Sequence, residues 1–230
     1  MKLQAALDFD YRSTNQGQAK ELTIFRTELA QALVEEAQES LDIIEVGTPF
    51  VMEYGLAPVK ALKQAFPEKL ILVDLKIADA GYYEAAAAFK NGADIATVLA
   101  VTDDATIRNA MAAAREYGRA IMVDMLAVPD LPARLMQVDT MGVDYICLHT
   151  SKDLQRLDQD MSKSFEVLRS YVKNARLAIA GGINRSTIGK FAAICPDVII
   201  VGEGITGAEN YGEAAAYFKT AMDAAKRSEC

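Results

Sequence analysis

Eight short apolar runs alternating with eight helix-length segments predict an α/β protein with a closed (β/α)8 TIM barrel fold. Three observations carry this expectation. Strict strand-then-helix alternation favours a parallel sheet with its helices outside. The count is eight, with no linker, low-complexity stretch or shift in composition, so residues 1–230 read as one barrel domain. Reactive residues recur at the ends of the runs, the rim where barrels of this kind do chemistry. A doubly wound open sheet is the runner-up.

The apolar runs cover residues 3–9, 42–47, 70–76, 95–101, 120–126, 145–150, 177–182 and 198–202, each short and bounded by turn-forming residues. Helical patterns cover residues 18–39, 57–66, 82–91, 105–117, 131–141, 164–173, 185–193 and 208–226. The polar stretch 10–18 follows the first run, and an enlarged surface loop explains it at least as well as a lid; the helical pattern behind it is long for a barrel helix. A second stretch, 151–164, is rich in charge and is a candidate mobile cover, because loops that follow barrel strands lie on the active-site face.

With 51% apolar residues the 230-residue chain has ample material for a core. Its net charge of −8 argues against nucleic acid as a partner, since phosphate backbones are gripped by clustered Lys and Arg. No apolar run approaches the roughly 20 residues that span a bilayer, and the N-terminus lacks a signal-peptide core, so a cytoplasmic location with no membrane partner is expected. Cys147, Cys195 and Cys230 have no metal-type spacing and are expected as reduced thiols.

The chain is organised around Asp74-Leu75-Lys76-Ile77-Ala78-Asp79-Ala80-Gly81 at the end of the third run. Side chains alternate along a strand, so Asp74 and Lys76 point the same way and share one site. Asp79 lies past the strand end and either folds back toward Lys76 or points outward toward another subunit. Gly81 is expected to free the chain for its turn into the next helix.

Asp8 ends the first run, Glu45 the second, Asp124 the fifth and His149 the sixth. A carboxylate near a strand end is often a helix cap. Several at one rim, inside runs such as Ile43-Ile44-Glu45-Val46, need a cation or hydrogen-bond partner instead. Three or four carboxylates against one Lys suit a hard divalent cation, most simply Mg²⁺, with Glu45 and Asp74 as ligands and Asp8 beside them. His149, the only histidine, is more often a satisfied core residue in such a place, but its position opposite the carboxylates favours a general base or acid.

Gly181-Gly182 and Gly202-Glu203-Gly204 follow the last two runs, where barrels commonly hold a phosphate on backbone N–H groups. Ordinary tight turns use the same glycines. Glu203 is an awkward neighbour for a dianion, and Lys152 or Arg185 is a candidate source of positive charge.

Together, Leu3-Gln4-Ala5-Ala6-Leu7-Asp8, Asp42-Ile43-Ile44-Glu45-Val46-Gly47-Thr48-Pro49, Asp74-x-Lys76-x-x-Asp79-x-Gly81, Val123-Asp124-Met125, His149, Ala180-Gly181-Gly182 and Val201-Gly202 resemble the 3-hexulose-6-phosphate synthases. These belong with the 3-keto-L-gulonate-6-phosphate decarboxylases in the orotidine 5'-phosphate decarboxylase suprafamily. The resemblance implies a homodimer of barrels with Mg²⁺ at Glu45 and Asp74. Asp8, Lys76 and Asp79 would contact the substrate or metal region, Asp79 in the partner subunit's site, and His149 would move the proton.

The implied reaction is an aldolase (aldehyde-lyase) condensation of formaldehyde with D-ribulose 5-phosphate through an enediolate. The alternative is decarboxylation of 3-keto-L-gulonate 6-phosphate. The decarboxylases typically carry Glu where this chain has Asp124, His-Arg-Ser-Arg where it has His149-Thr150-Ser151-Lys152, and Arg where it has Glu203, which favours the synthase. The long stretches 10–18 and 151–164 depart from the synthase pattern. A catalytically silent barrel that binds a sugar phosphate is the reading from another class.

Overall fold

The computed structural model describes residues 1–10, 23–155 and 162–229. Eight parallel strands form the barrel: β1 (Lys2–Leu7), β2 (Ile43–Val46), β3 (Leu70–Ile77), β4 (Ile95–Leu99), β5 (Ala120–Asp124), β6 (Tyr145–His149), β7 (Arg176–Ala180) and β8 (Val198–Val201). Each pairs in parallel with its neighbours in chain order, and β1 also pairs with β8, Lys2 opposite Val198 and Ala5 opposite Val201. That last pairing closes the sheet and rules out the open doubly wound alternative.

The helices are α1 (Thr27–Ala37), α2 (Thr48–Tyr54), α3 (Ala57–Ala65), α4 (Gly81–Lys90), α5 (Asp104–Tyr117), α6 (Leu131–Thr140), α7 (Lys152–Gln155), α8 (Ser162–Arg169), α9 (Ile188–Ala192), α10 (Glu203–Thr206) and α11 (Tyr211–Glu229). A two-residue ribbon, Phe9–Asp10 against Thr23–Ile24, sits above β1. The expected helix over residues 18–39 is shorter in its described part: the ribbon strand and the extended Arg26 precede a helix of 11 residues. Most of the stretch 10–18, and the middle of the stretch 151–164, lie outside the described residues. The described ends of the second stretch are helical.

Period-two alternation divides every strand between two cores. Outward residues such as Leu3, Ala5, Leu7, Ile44, Val46, Ile71 and Val73 pack with the helices. Inward residues, among them Ala6, Ile43, Leu72, Ile95, Met122, Tyr145, Cys147, Ala178, Val198 and Ile200, fill the barrel itself. Followed upward, the inward set changes character. Ile43 gives way to Glu45, Leu72 to Asp74, Ile95 to Thr97, Met122 to Asp124 and Cys147 to His149. An apolar floor thus carries a polar upper layer, and the parity of the strands decides which side chains enter it.

Two expectations fail locally. Gly81 does not have positive φ; Ala80 before it does, at 48°. Glycine is needed at 81 because a Cβ there would lie 2.1 Å from the Thr106 carbonyl oxygen of α5, so α4 and α5 meet at this point. Cys195 is disulfide-bonded rather than a reduced thiol, whereas Cys147 is free and buried. Among the described residues no helix is long and apolar enough to cross a membrane.

Candidate active site

The strand ends open into a cavity of about 720 Å³ lined by Asp8, Glu45, Asp74, Lys76, Asp124 and His149. Of the predicted catalytic and metal residues only Asp79 is not among its lining residues. The carboxylates of Glu45, Asp74 and Asp124 are almost wholly buried, at 7%, 6% and 3% exposure, so their partners decide their charge.

Asp74 and Lys76 form the centre. Lys76 Nζ makes an ion pair with Asp74 Oδ2 and lies 3.9 Å from Asp124 Oδ2. Asp124 Oδ2 is in turn 2.8 Å from His149 Nδ1, and Asp124 Oδ1 accepts from the Leu126 backbone N–H at 2.9 Å. One continuous polar line therefore runs from β3 to β6. The expected common direction of Asp74 and Lys76 is found, but not through regular strand geometry. The register of β3 against β4 shifts between Val73 and Ile77, and Lys76 has φ of 49°. A non-glycine residue held in the left-handed region costs on the order of 1–3 kcal/mol, strain that its surroundings must hold in place.

Several positions that hold these groups escaped the sequence reading. Thr97 Oγ1 donates to Asp74 Oδ1 at 2.7 Å and accepts from the Lys76 backbone N–H at 2.9 Å. Thr48 Oγ1 is 2.8 Å from both Asp74 Oδ2 and the Asp74 carbonyl. Gln4 Nε2 donates to Glu45 Oε2 at 2.6 Å, while its buried Oε1 has no hydrogen-bond partner among the described residues. Gly47 leaves space for Asp8: a Cβ there would lie 1.8 Å from Asp8 Oδ1. Inward parity was the available signal for Gln4 and Thr97; Gly47 gave none, because the approach of Asp8 is tertiary.

Burial, then Asp74, pushes the Asp8 carboxyl up to about 6, against the pull of Lys76 and Lys152. Burial, Asp74 and Asp8 together push Glu45 well above the usual carboxylate range. Burial acts the same way on Asp74, but the Lys76 ammonium and the two threonine hydroxyls outweigh it and hold Asp74 below its ordinary value. Burial would lower the His149 imidazole, yet its bond to Asp124 leaves it raised. The cavity thus concentrates more negative charge than its cation neutralises, and a divalent cation fits that imbalance. Among the described residues no three His, Cys, Asp or Glu side chains form a ready-made metal cage. Mg²⁺ needs none, since it is held through one or two carboxylates and keeps several waters.

Gly181, Gly182, Gly202, Glu203 and Gly204 all line the same cavity at the ends of β7 and β8. Gly181 and Gly182 have φ of 93° and 72°, a backbone region that favours glycine. Gly204 has a packing reason, because a Cβ there would meet Phe218 and Val201 at 2.8 and 2.9 Å. Glu203 opens α10 and is exposed at the rim. Lys152 lines the cavity and stands 4.6 Å over the Phe9 ring; Arg185 does not line it and stacks on Tyr217 instead. Asp79 is exposed outside the cavity, where it caps the Ala80 N–H and, after burial, raises Glu84.

Fold and rim together define a (β/α)8-barrel enzyme whose cavity joins a histidine–aspartate contact, a lysine–aspartate ion pair and a glycine-lined wall. The chain belongs to the orotidine 5'-phosphate decarboxylase / HUMPS family, whose sequence profile matches residues 1–218. It is 46% identical over 187 residues to the 3-hexulose-6-phosphate synthase of Bacillus subtilis, covering 81% of this chain and 89% of that one. The crystal structure of 3-hexulose-6-phosphate synthase from Salmonella typhimurium superposes with a TM-score of 0.88 at 36% identity, covering 98% and 100% of the two chains. That of 3-keto-L-gulonate-6-phosphate decarboxylase from Vibrio cholerae gives 0.79 at 25% identity, covering 97% of each.

Proposed function

We propose that this chain is a Mg²⁺-dependent aldolase that condenses formaldehyde with D-ribulose 5-phosphate to a 3-hexulose 6-phosphate. The observation that carries the reading is the joining of Asp124–His149 to Asp74–Lys76 within one cavity, in a chain 46% identical to a synthase. The decarboxylase likeness is weaker, at 25% identity. Asp124 and Lys152 also stand where that branch typically has Glu and Arg.

Glu45 and Asp74 would hold the metal, with Asp8 beside them; Asp74 Oδ1 accepts one bond, from Thr97, and keeps a second lone pair. When bound, Mg²⁺ supplies Lewis-acid polarisation of the sugar's oxygens. The residues of the chain do the rest. Backbone N–H groups at Gly181, Gly182 and Gly202 to Gly204 receive the phosphate, and Lys152 adds positive charge opposite. Asp124 engages His149 Nδ1, which leaves Nε2 to take the C1 proton. The electron pair of the broken C–H bond becomes the enediolate, whose oxygens the Lys76 ammonium faces. The C1 carbon then bonds to the formaldehyde carbon, and imidazolium returns the proton to the aldehyde oxygen, now a hydroxyl.

Asp79 completes the reading as a contributor to the site of a second copy in a homodimer. Its exposed position, with Tyr83 four residues on at 76% exposure, supports this. The deciding experiment follows the C1 proton of ribulose 5-phosphate by NMR in D₂O, with Mg²⁺ and with a chelator, then with formaldehyde. Metal-dependent exchange followed by a new hexulose phosphate is expected; CO₂ release from the 3-keto acid phosphate without that product would reverse the assignment.

A further inference from the structure

We infer that Thr97 is the positioning residue that sets the Asp74–Lys76 pair, joining the turned-out backbone of Lys76 to the carboxylate of Asp74 through one hydroxyl. The inference rests on the proposed role of that pair and extends it to a residue that acts through both of its members. Where β3 loses register against β4, between Val73 and Ile77, the ladder no longer supplies a backbone acceptor in regular order. Lys76 sits there with φ of 49°, and its N–H goes to Thr97 Oγ1 at 2.9 Å. The same oxygen donates its single proton to Asp74 Oδ1 at 2.7 Å.

The hydroxyl therefore has a forced polarity. It accepts from one end of the Asp74-Leu75-Lys76 segment and donates to the other, which ties backbone twist to carboxylate rotamer. Thr97 is 4% exposed, so water cannot readily replace either bond. Its neighbours add to the constraint. Inward parity puts Thr97 above Ile95 on β4, between the strands that carry Lys76 and Asp124. Lys76 Nζ reaches both Asp74 and Asp124 from its left-handed backbone. A lysine in regular strand geometry would leave the rim at a different angle, so the bulge and the threonine that holds it aim the ammonium.

Thr97→Val keeps the shape and branching and removes the hydroxyl; Thr97→Ser keeps the hydroxyl. The test measures C1 proton exchange, the KM for ribulose 5-phosphate, Mg²⁺ affinity by calorimetry and amide hydrogen exchange at Lys76. In the Val variant, exchange at C1 is expected to fall at least tenfold and Mg²⁺ affinity several-fold, with KM changed less than threefold because the phosphate is held across the barrel. The Lys76 amide should lose protection. The Ser variant should restore all three. Should Val not fold, Thr97→Ala takes its place.

Wild-type C1 rate and Mg²⁺ affinity in a folded Val or Ala variant would overturn the inference, as would a loss that Ser fails to restore. If the wild type itself exchanges no C1 proton, the proposed reaction fails. The Lys76 amide then decides the role of Thr97: retained protection in the Val variant refutes it, and lost protection restored by Ser supports it.

Discussion

The two ends of the barrel use the same residue type for opposite purposes. At the bottom, Asp42, Asp94, Asp144 and Asp197 each stand just before an even-numbered strand. Each accepts the backbone N–H of an early residue in the odd-numbered strand before it: Leu3 at 2.8 Å, Ile71 at 2.9 Å, Ile121 at 2.9 Å and Leu177 at 2.8 Å. Two also meet cations, Asp42 with Lys219 at 2.6 Å and Asp94 with Lys63 at 2.9 Å and with Arg119. At the top, burial and Asp74 raise the proton affinity of Asp8 and Glu45, while Lys76 holds Asp74 itself down. A carboxylate answered by fixed amides and cations is structural. Carboxylates that crowd one another inside a cavity have no such fixed set of partners.

Removing the top's cation should separate activity from stability most widely. Lys76→Ala is expected to lower C1 exchange about 10³-fold or more, because both the facing ammonium and the balance of charge around Asp74 are lost. Circular dichroism should show the fold retained; a variant that still turns over at the wild-type rate would break the contrast between the ends.

The reverse experiment is Asp94→Ala at the bottom. It strips Ile71 N–H, Lys63 and Arg119 of a shared partner that is 7% exposed. A loss of about 3 kcal/mol in denaturant unfolding is expected, with C1 exchange of the folded protein within about twofold of wild type by the same tolerance that separates distant sites. A large catalytic loss with unchanged stability would mean that the bottom ring is not merely structural.

The smallest effect sharpens the comparison within the top. His149 is the chain's only histidine, so a single imidazole signal reports it. Its proton affinity is raised above 6.5 through Asp124, so the NMR midpoint should lie above 6.5 and fall in Asp124→Asn. The raised value favours the protonated folded form. The stability it contributes is complete below about pH 6.5 and disappears as pH rises through the folded midpoint. The stability gap between wild type and Asp124→Asn should therefore narrow as pH rises above about 6.5.

Much of this was legible because strands buried on both faces read as continuous apolar runs, and each of the eight strands overlaps an expected one, with only Lys2, Ile77 and Arg176 lying one residue outside. Helix starts were less legible. The pattern over 18–39 mixes polar and apolar residues, and only Thr27–Ala37 of its described part is helix. Helix α2 was overlooked although Thr48-Pro49 carries the Pro near its start that marks a first turn. Helix α10, with four residues, is too short for any periodicity to register. The bottom aspartates follow a pattern visible in Asp42-Ile43, Asp94-Ile95, Asp144-Tyr145 and Asp197-Val198, but their amide partners are remote in sequence.

What the sequence determined by itself was the order of strands and, through alternation, which residues face inward. Asp8, Glu45, Asp74, Asp124 and His149 were bound to meet once eight strands closed, because each ends a run on the inward parity. Only the tertiary structure decided how they meet. The left-handed turn at Lys76, the hydroxyl of Thr97 beneath it, the space left by Gly47 for Asp8 and the outward position of Asp79 all depend on contacts between strands, or on the side of a turn a residue takes. Periodicity is a local property of the chain. The distance between a carboxylate and its neighbour across a barrel is set by closure, which no local pattern encodes.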